Sequence, residues 1–212
     1  RVLDVACGTG VLAIAAARAV APGGSVVGLD LNPGMLAVAR RQAPEVEWRE
    51  APAEDLPFEA HEFDAVLSQF GLMFFRDRRE ALREMWRVLG PGGRLVVAVW
   101  DALERTPGYA AVTALLARLF GDDVADLLRA PYALGDPELL ATLLEEAGIA
   151  NADVSRVDGE ACFPSIASWM HTDVRGWTLA EKLDDAQFAR LCAEAEDALR
   201  GFVTRDGAVR FA

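Results

Sequence analysis

The sequence predicts a doubly wound α/β fold, built on a mainly parallel sheet of seven strands with helical insertions after the fifth. Three observations carry this. The chain opens on Arg1-Val-Leu-Asp-Val-Ala-Cys-Gly-Thr-Gly10, an apolar run that breaks into a glycine turn and leads at once into an Ala-rich run, Val11 to Val20. Val2, Leu3 and Val5 suit a strand buried on both faces, as parallel sheets require. Strand-like and helix-like stretches then alternate, which is the signature of crossover-connected parallel strands. The arrangement is Rossmann-like.

Each element follows from local pattern. Val11 to Val20 reads as the first helix, stopped by Pro22-Gly23-Gly24. Ser25-Val-Val-Gly-Leu-Asp30 is the second strand. Asn32 is placed to cap the next helix with Pro33 at its first position; that helix ends before Pro44. Val46 to Glu50 alternates and reads as the third strand, and Phe63 to Ser68 as the fourth. Arg79 to Leu89 reads as a helix with Leu82, Met85, Trp86 and Leu89 on one face. Gly90-Pro-Gly-Gly93 ends it, and Arg94 to Trp100 is the fifth strand. Further on, 108–120, 122–129, 137–148, 165–176 and 183–202 read as helices. A strand is expected within 152–163, kinked at Gly159, and a last one over Ala208 to Phe211. Together these give one domain over 1–212. A start inside a core strand predicts that natural residues are lacking at both ends.

Composition narrows the function. With 212 residues, 52% of them hydrophobic, the chain has enough for a full core. A net charge of −12 without a basic stripe argues against nucleic acid and against anionic membrane surfaces. No apolar run approaches the ~20 residues of a membrane span, and no leader-type segment is visible. Cys7, Cys162 and Cys192 have no metal-binding spacing. Their odd number fits a reducing compartment, so a cytoplasmic location without a metal is expected. Nothing fixes the oligomeric state.

The opening turn is the candidate site. Gly8 and Gly10 permit a sharp turn and close approach of a ligand, and the helix that follows presents free N–H groups. Asp4, four residues before Gly8, repels a pyrophosphate but suits a ligand carrying an ammonium and a sulfonium, such as S-adenosylmethionine (SAM). Its alternative is a turn or capping role. Asp30, at the end of the second strand, can accept both ribose hydroxyls. Dinucleotide sites use an acid there too, and Gly8-Thr-Gly10-Val-Leu-Ala13 fits the looser dinucleotide pattern. A nicotinamide oxidoreductase and a non-catalytic SAM-binding protein therefore stand as alternatives.

These stretches resemble the motifs of class I SAM-dependent methyltransferases of type 11. Val2 to Gly10 is similar to the first motif, Gly28-Leu-Asp30 to the acidic second. Ala53-Glu-Asp-Leu-Pro-Phe58, Phe63 to Ser68 and Leu89 to Val97 resemble later motifs in the same order. The branch most resembled includes the ubiquinone and menaquinone biosynthesis methyltransferases. The resemblance covers about the first half of the chain. It implies SAM as cofactor, held by Asp4, Ala6, Gly8, Gly10, Asp30, Leu31, Met35, Ala53, Glu54, Ser68 and Gln69. Leu31 and Met35 would pack on adenine, Met35 being as well suited to the core. Ala53 and Glu54 would sit where the family hydrogen-bonds adenine, yet Pro52 stands where the family often has an acid, which leaves the exocyclic amine to Glu54, Asp55 or water. Ser68 and Gln69 end the fourth strand, where methyl donor and acceptor meet. Ser68-Gln-Phe-Gly71 lacks the Asn- or Asp-Pro-Pro-aromatic signature of nucleobase amine methylation. Phe70, Phe74 and Phe75 suit either a pocket wall or the core.

The resemblance also places the insertions, 101–131 and 165–205, over the acceptor. Trp169, Trp177, Tyr132 and Trp100 then become candidates to line an apolar pocket. A small apolar or aromatic acceptor is expected, not a polyanion. No base is clear. Gln69 and His171 are the weak catalytic candidates, and His61, in an acidic loop, reads as solvated.

Overall fold

The structure, a computed structural model, describes residues 1–176, 179 and 182–211. Trp177 lies outside the described residues. The chain divides into two compact units: Arg1–Trp100 with Pro137–Val154, and Asp101–Asp136 with Ser155–Ala212.

The first unit holds a five-stranded sheet. Its strands are β1 (Val2–Val5), β2 (Val26–Asp30), β3 (Glu47–Glu50), β4 (Phe63–Gln69) and β5 (Leu89–Ala98), in the order β3-β2-β1-β4-β5. Every pairing is parallel. Val2 to Val5 are all buried, because a central parallel strand has helices on both faces. The order reverses beside β1, so the crevice at the carboxyl ends of β1 and β4 is the topological switch point, where open α/β sheets bind ligands.

The expected seven-stranded sheet is corrected. β6 (Ala161–Phe163) and β7 (Val209–Phe211) pair antiparallel with each other as a separate two-stranded sheet in the second unit. Each is three residues long, and their side chains join that unit's own core.

Helices α1 (Val11–Val20), α2 (Pro33–Gln42) and α3 (Arg78–Val88) belong to the first unit, as does α6 (Pro137–Glu146). Asn32 caps α2 as its sequence position demands, its side chain accepting from the N–H groups of Gly34 and Met35 at 2.9 and 3.2 Å. On α3 the inward stripe is Ala81, Leu82, Met85 and Val88. The expected stripe included Trp86, which is instead 45% exposed, because the buried face centres on 81, 85 and 88 and 86 lies about 100° further round the helix from 85. The Gly90–Gly93 stretch does not simply end the helix. It bulges out of β5, between the pairs Phe63 with Leu89 and Ala65 with Arg94.

The second unit is mainly helical: α4 (Pro107–Phe120), α5 (Asp122–Arg129), α7 (Ile166–Met170) and α8 (Asp185–Ala198). Its core gathers Val112, Leu116, Trp169, Met170, Leu191 and Phe211, all nearly or fully inaccessible. Each such side chain contributes about 1.5–3 kcal/mol by leaving water. The helix expected over 165–176 changes character at Met170: residues His171–Arg175 form a π-helical turn. No described helix is long and apolar enough to cross a membrane.

Candidate functional site

The backbone at the end of β1 is bent by three left-handed residues, Ala6 (φ 59°), Gly8 (φ 56°) and Gly10 (φ 90°). The last begins α1 with no side-chain cap. The Ile14 N–H bonds the Gly10 carbonyl at 2.8 Å. The N–H groups of residues 11–13 have no partner within the helix, which makes its start electropositive.

Asp4 lies beneath this turn. It is 1% exposed, and neither carboxylate oxygen has a hydrogen-bond partner among the described residues. Burial pushes its pKa up to about 7, the nearby charge of Asp30 adds to the rise, and the Ala13 backbone N–H partly offsets it without closing a hydrogen bond. A turn or capping residue would have its oxygens engaged. The Asp4 oxygens are not so engaged.

The two glycines differ. A Cβ on Gly8 would meet nothing within 4 Å, so this face of the turn is open to a ligand. A Cβ on Gly10 would come within 2.5 Å of the Trp48 ring. Trp48 also lies across Gly28 of β2 and donates its Nε1–H to the Ala43 carbonyl at 2.9 Å. Gly10 is therefore required by packing as well as by its positive φ. Gly10→Val is expected to lower stability by about 2–4 kcal/mol, since it combines overpacking with backbone strain. A thermal melt matching that of the wild type would refute this.

Asp30 stands opposite Gly8. Its Oδ2 accepts the Gly8 N–H at 2.7 Å and its Oδ1 accepts the Asn32 N–H at 2.8 Å. Each oxygen keeps a second lone pair, so the pair can still receive two ribose hydroxyls. Beyond it, Leu31 is 65% and Met35 40% exposed. Met35 is thus not core. An exposed apolar pair beside a carboxylate suits the face of a purine.

The 53–58 segment is fixed from α3. The Leu56 N–H donates to Glu84 at 2.9 Å, and Arg87 donates to the Phe58 and Leu56 carbonyls at 2.9 and 3.1 Å. Ala53 is buried. The Glu54 Oε1 accepts the N–H groups of Arg76 and Asp77 at 2.9 and 3.1 Å. That carboxylate anchors the entry to α3. Glu54→Ala is expected to cost about 0.5–1.5 kcal/mol by exchanging those bonds for bonds to water, and hydrogen exchange at 76 and 77 checks it.

At the end of β4, Ser68 is 1% exposed with an unpartnered Oγ, and Gln69 is exposed. A Cβ on Gly71 would lie 2.6 Å from Ala6 Cβ and 3.1 Å from Ser68 Oγ, so the ends of β1 and β4 meet there. Phe70 is left-handed (φ 57°) and stacks on Trp100 at 3.8 Å. Phe75 packs toward Gly71, while Phe74 is 48% exposed.

His171 and Tyr132 belong to the second unit. His171 is exposed on the π-helical turn of the second unit, its ring 6.4 Å from Phe188. Tyr132 is buried there beside Tyr109. His61 is not merely solvated, because its Nδ1 lies 2.9 Å from the Leu89 carbonyl. Trp48 was the residue that sequence reasoning missed. The signal was Gly28, a glycine inside a buried strand, which marks close approach of another group.

A family profile for a methyltransferase domain matches residues 3–97. The demethylmenaquinone methyltransferase of Thermus thermophilus is 46% identical over 132 residues, 60% of this chain and 57% of that protein. The ubiquinone/menaquinone biosynthesis C-methyltransferase UbiE of Hahella chejuensis is 37% identical over 164 residues, 70% of this chain and 66% of that protein. The chain spans only 38% of the Chlorobaculum tepidum demethylmenaquinone methyltransferase. Among solved structures, a Thermotoga maritima SAM-dependent methyltransferase, described as a possible histamine N-methyltransferase, aligns with TM-score 0.53 and 26% identity over 70% of this chain and 63% of that one. Bacillus subtilis YcgJ aligns with TM-score 0.59 and 22% identity over 100% of this chain and 86% of that one, a likeness of fold.

Proposed function

Because the chain belongs to the class I SAM-dependent methyltransferases, we propose that it transfers a methyl group from SAM to a small aromatic acceptor of the quinol kind. The observation that carries the cofactor reading is Asp4. A carboxylate 1% exposed and without a partner, at a helix start and below an open glycine face, fits a cationic ligand. It opposes a pyrophosphate, which the dinucleotide alternative requires. When bound, SAM supplies a carbon already made electrophilic by the sulfonium, and the sulfur keeps the bonding pair as that carbon leaves.

The residues of this chain then have positioning tasks. Asp4 receives the ammonium. Asp30 receives the ribose hydroxyls while holding the Gly8 N–H, so it shapes the turn and the sugar site together. Leu31 and Met35 cover the adenine, beside buried Ala53. Ala6 and Ser68 line the junction of β1 and β4. Glu54 is assigned to the adenine amine through its second oxygen, its Oε1 being engaged with Arg76 and Asp77. Holding donor and acceptor in line, away from water, supplies most of the rate that such a displacement needs. No residue is assigned as base.

The quinol reading draws on the printed names of the relatives and on the aromatic residues about Phe70. A cytoplasmic location is assigned to the chain. Titration calorimetry with SAM, S-adenosylhomocysteine and NAD tests the cofactor. Micromolar binding of the first two without NAD is expected; NAD binding without SAM would reverse the reading.

A further inference from the structure

Among the described residues, three side chains of the first unit bury polar atoms without partners: Asp4, Ser68 and Trp100. The cofactor reading uses the first and places the second near the transferred methyl. It gives the Trp100 indole N–H nothing to do. That N–H is an obligate donor. Left buried and unpaired, it carries a desolvation cost that folded proteins rarely leave uncompensated.

The surroundings give it a partner class. Phe70 follows β4 directly, and its N–H bonds the Ala98 carbonyl at 2.9 Å. Trp100 stands two residues beyond Ala98, the end of β5. The two rings lie parallel within 1°, centroids 3.8 Å apart. Their flat apolar stack therefore sits at the carboxyl ends of β4 and β5, beside the Gly71 junction where Ala6 and Ser68 meet. Phe70 is the member of the pair able to give way. It is partly exposed and held at φ 57°, a strained conformation for a residue with a side chain, and such strain gathers at ligand-binding turns.

We propose that the Phe70–Trp100 stack walls the seat of the methyl acceptor, and that the Trp100 Nε1–H, which lies in the plane of its ring, donates to an oxygen substituent of an aromatic acceptor meeting the rim of that stack. The single donor fixes which edge of the acceptor faces inward. An acceptor without an oxygen leaves the N–H unpaired and binds more weakly. A site built to hydrogen-bond an oxygen discriminates strongly against the analogue that lacks it. Trp100 acts here as a positioning and specificity residue. The inference rests on the methyltransferase reading for the word acceptor. Its test is arranged so that the two fail separately.

The probes are 1,4-dihydroxynaphthalene and naphthalene, added to the wild-type chain in the presence of S-adenosylhomocysteine. The Trp100 Nε1–H resonance is expected to move on adding the dihydroxy probe and to stay in place with naphthalene. Trp100→Phe, which keeps a ring for stacking and deletes the donor, is expected to bind the dihydroxy probe about tenfold more weakly, the worth of one hydrogen bond. Its naphthalene and S-adenosylhomocysteine affinities should match the wild type. An unmoved Trp100 resonance would overturn the proposal, as would equal loss of both probes in the variant. The wild-type spectrum decides alone should the variant not fold. Failure of the chain to bind S-adenosylhomocysteine would instead strike the cofactor reading.

Discussion

Asp30→Ala is expected to weaken SAM binding by 100-fold or more in a chain that still unfolds cooperatively. Two charge-assisted hydrogen bonds to ribose hydroxyls would be lost, each worth about 1.5–3 kcal/mol. Even the lower figure, doubled, gives a factor above 100. The structure adds a second route to the same loss. Asp30 also accepts from the Gly8 and Asn32 N–H groups, so its removal frees the glycine turn that faces the cofactor. Asp30→Asn separates the two contributions. Its side-chain oxygen can hold one N–H, while its NH₂ cannot accept from anything. The variant is therefore expected to keep more of the fold than of the affinity. Calorimetry measures binding and a thermal melt measures integrity. Wild-type affinity in folded Asp30→Ala would end the ribose assignment.

The parts of the fold that were legible share one property: their information is local. β1 and β2 are apolar runs too short for helices and bounded by turn residues. Asn32-Pro33 announces the start of α2 by cap chemistry alone, and the cap formed. Asp4 and Asp30 stand out by charge alone, each an acid within or at the end of an apolar run. The misreadings arose where partners distant in sequence decided the outcome. β6 and β7 pair across 45 or more residues, and nothing within Ala161–Phe163 says that its neighbour is Val209–Phe211 rather than β5. Glu54 reads as an adenine-facing or surface acid, and the further task of its Oε1, accepting the Arg76 and Asp77 N–H groups, has no local signal. Gly10 reads as a ligand glycine, and only the Trp48 ring shows that packing demands it as well. The π-helical turn after Met170 follows an unbroken helical pattern, and no local signal marks it.

Asp4→Asn is expected to make the free protein more stable at neutral pH and a poorer binder of SAM, two effects that a merely structural residue would not combine. Burial raises the Asp4 pKa from 3.8 to about 7. The folded state therefore holds this proton more tightly than the unfolded chain does. The sign follows by linkage: the stability that protonated Asp4 allows is fully present below about pH 4 and is lost as pH climbs from there to about 7. Above pH 7 the free protein carries a buried, unpaired charge. Three pH units at about 1.4 kcal/mol each set an upper bound of about 4 kcal/mol on that burden. Asparagine keeps the shape and removes the charge, but its amide also wants partners, so a gain of about 1–3 kcal/mol is expected. Binding moves the other way. An ammonium beside Asp4 recovers the buried charge by pairing it, and asparagine offers only a dipole, so SAM affinity should fall by tenfold or more. The wild type should show the same group in its pH profile. Below pH 7 the proton on Asp4 must leave before the cation enters, so affinity declines by up to tenfold per pH unit and each binding event releases close to one proton. Calorimetry at pH 6 in two buffers of different ionisation enthalpy reads that proton directly. A variant that is less stable and binds SAM normally would make Asp4 a packing residue and leave the ammonium without a partner.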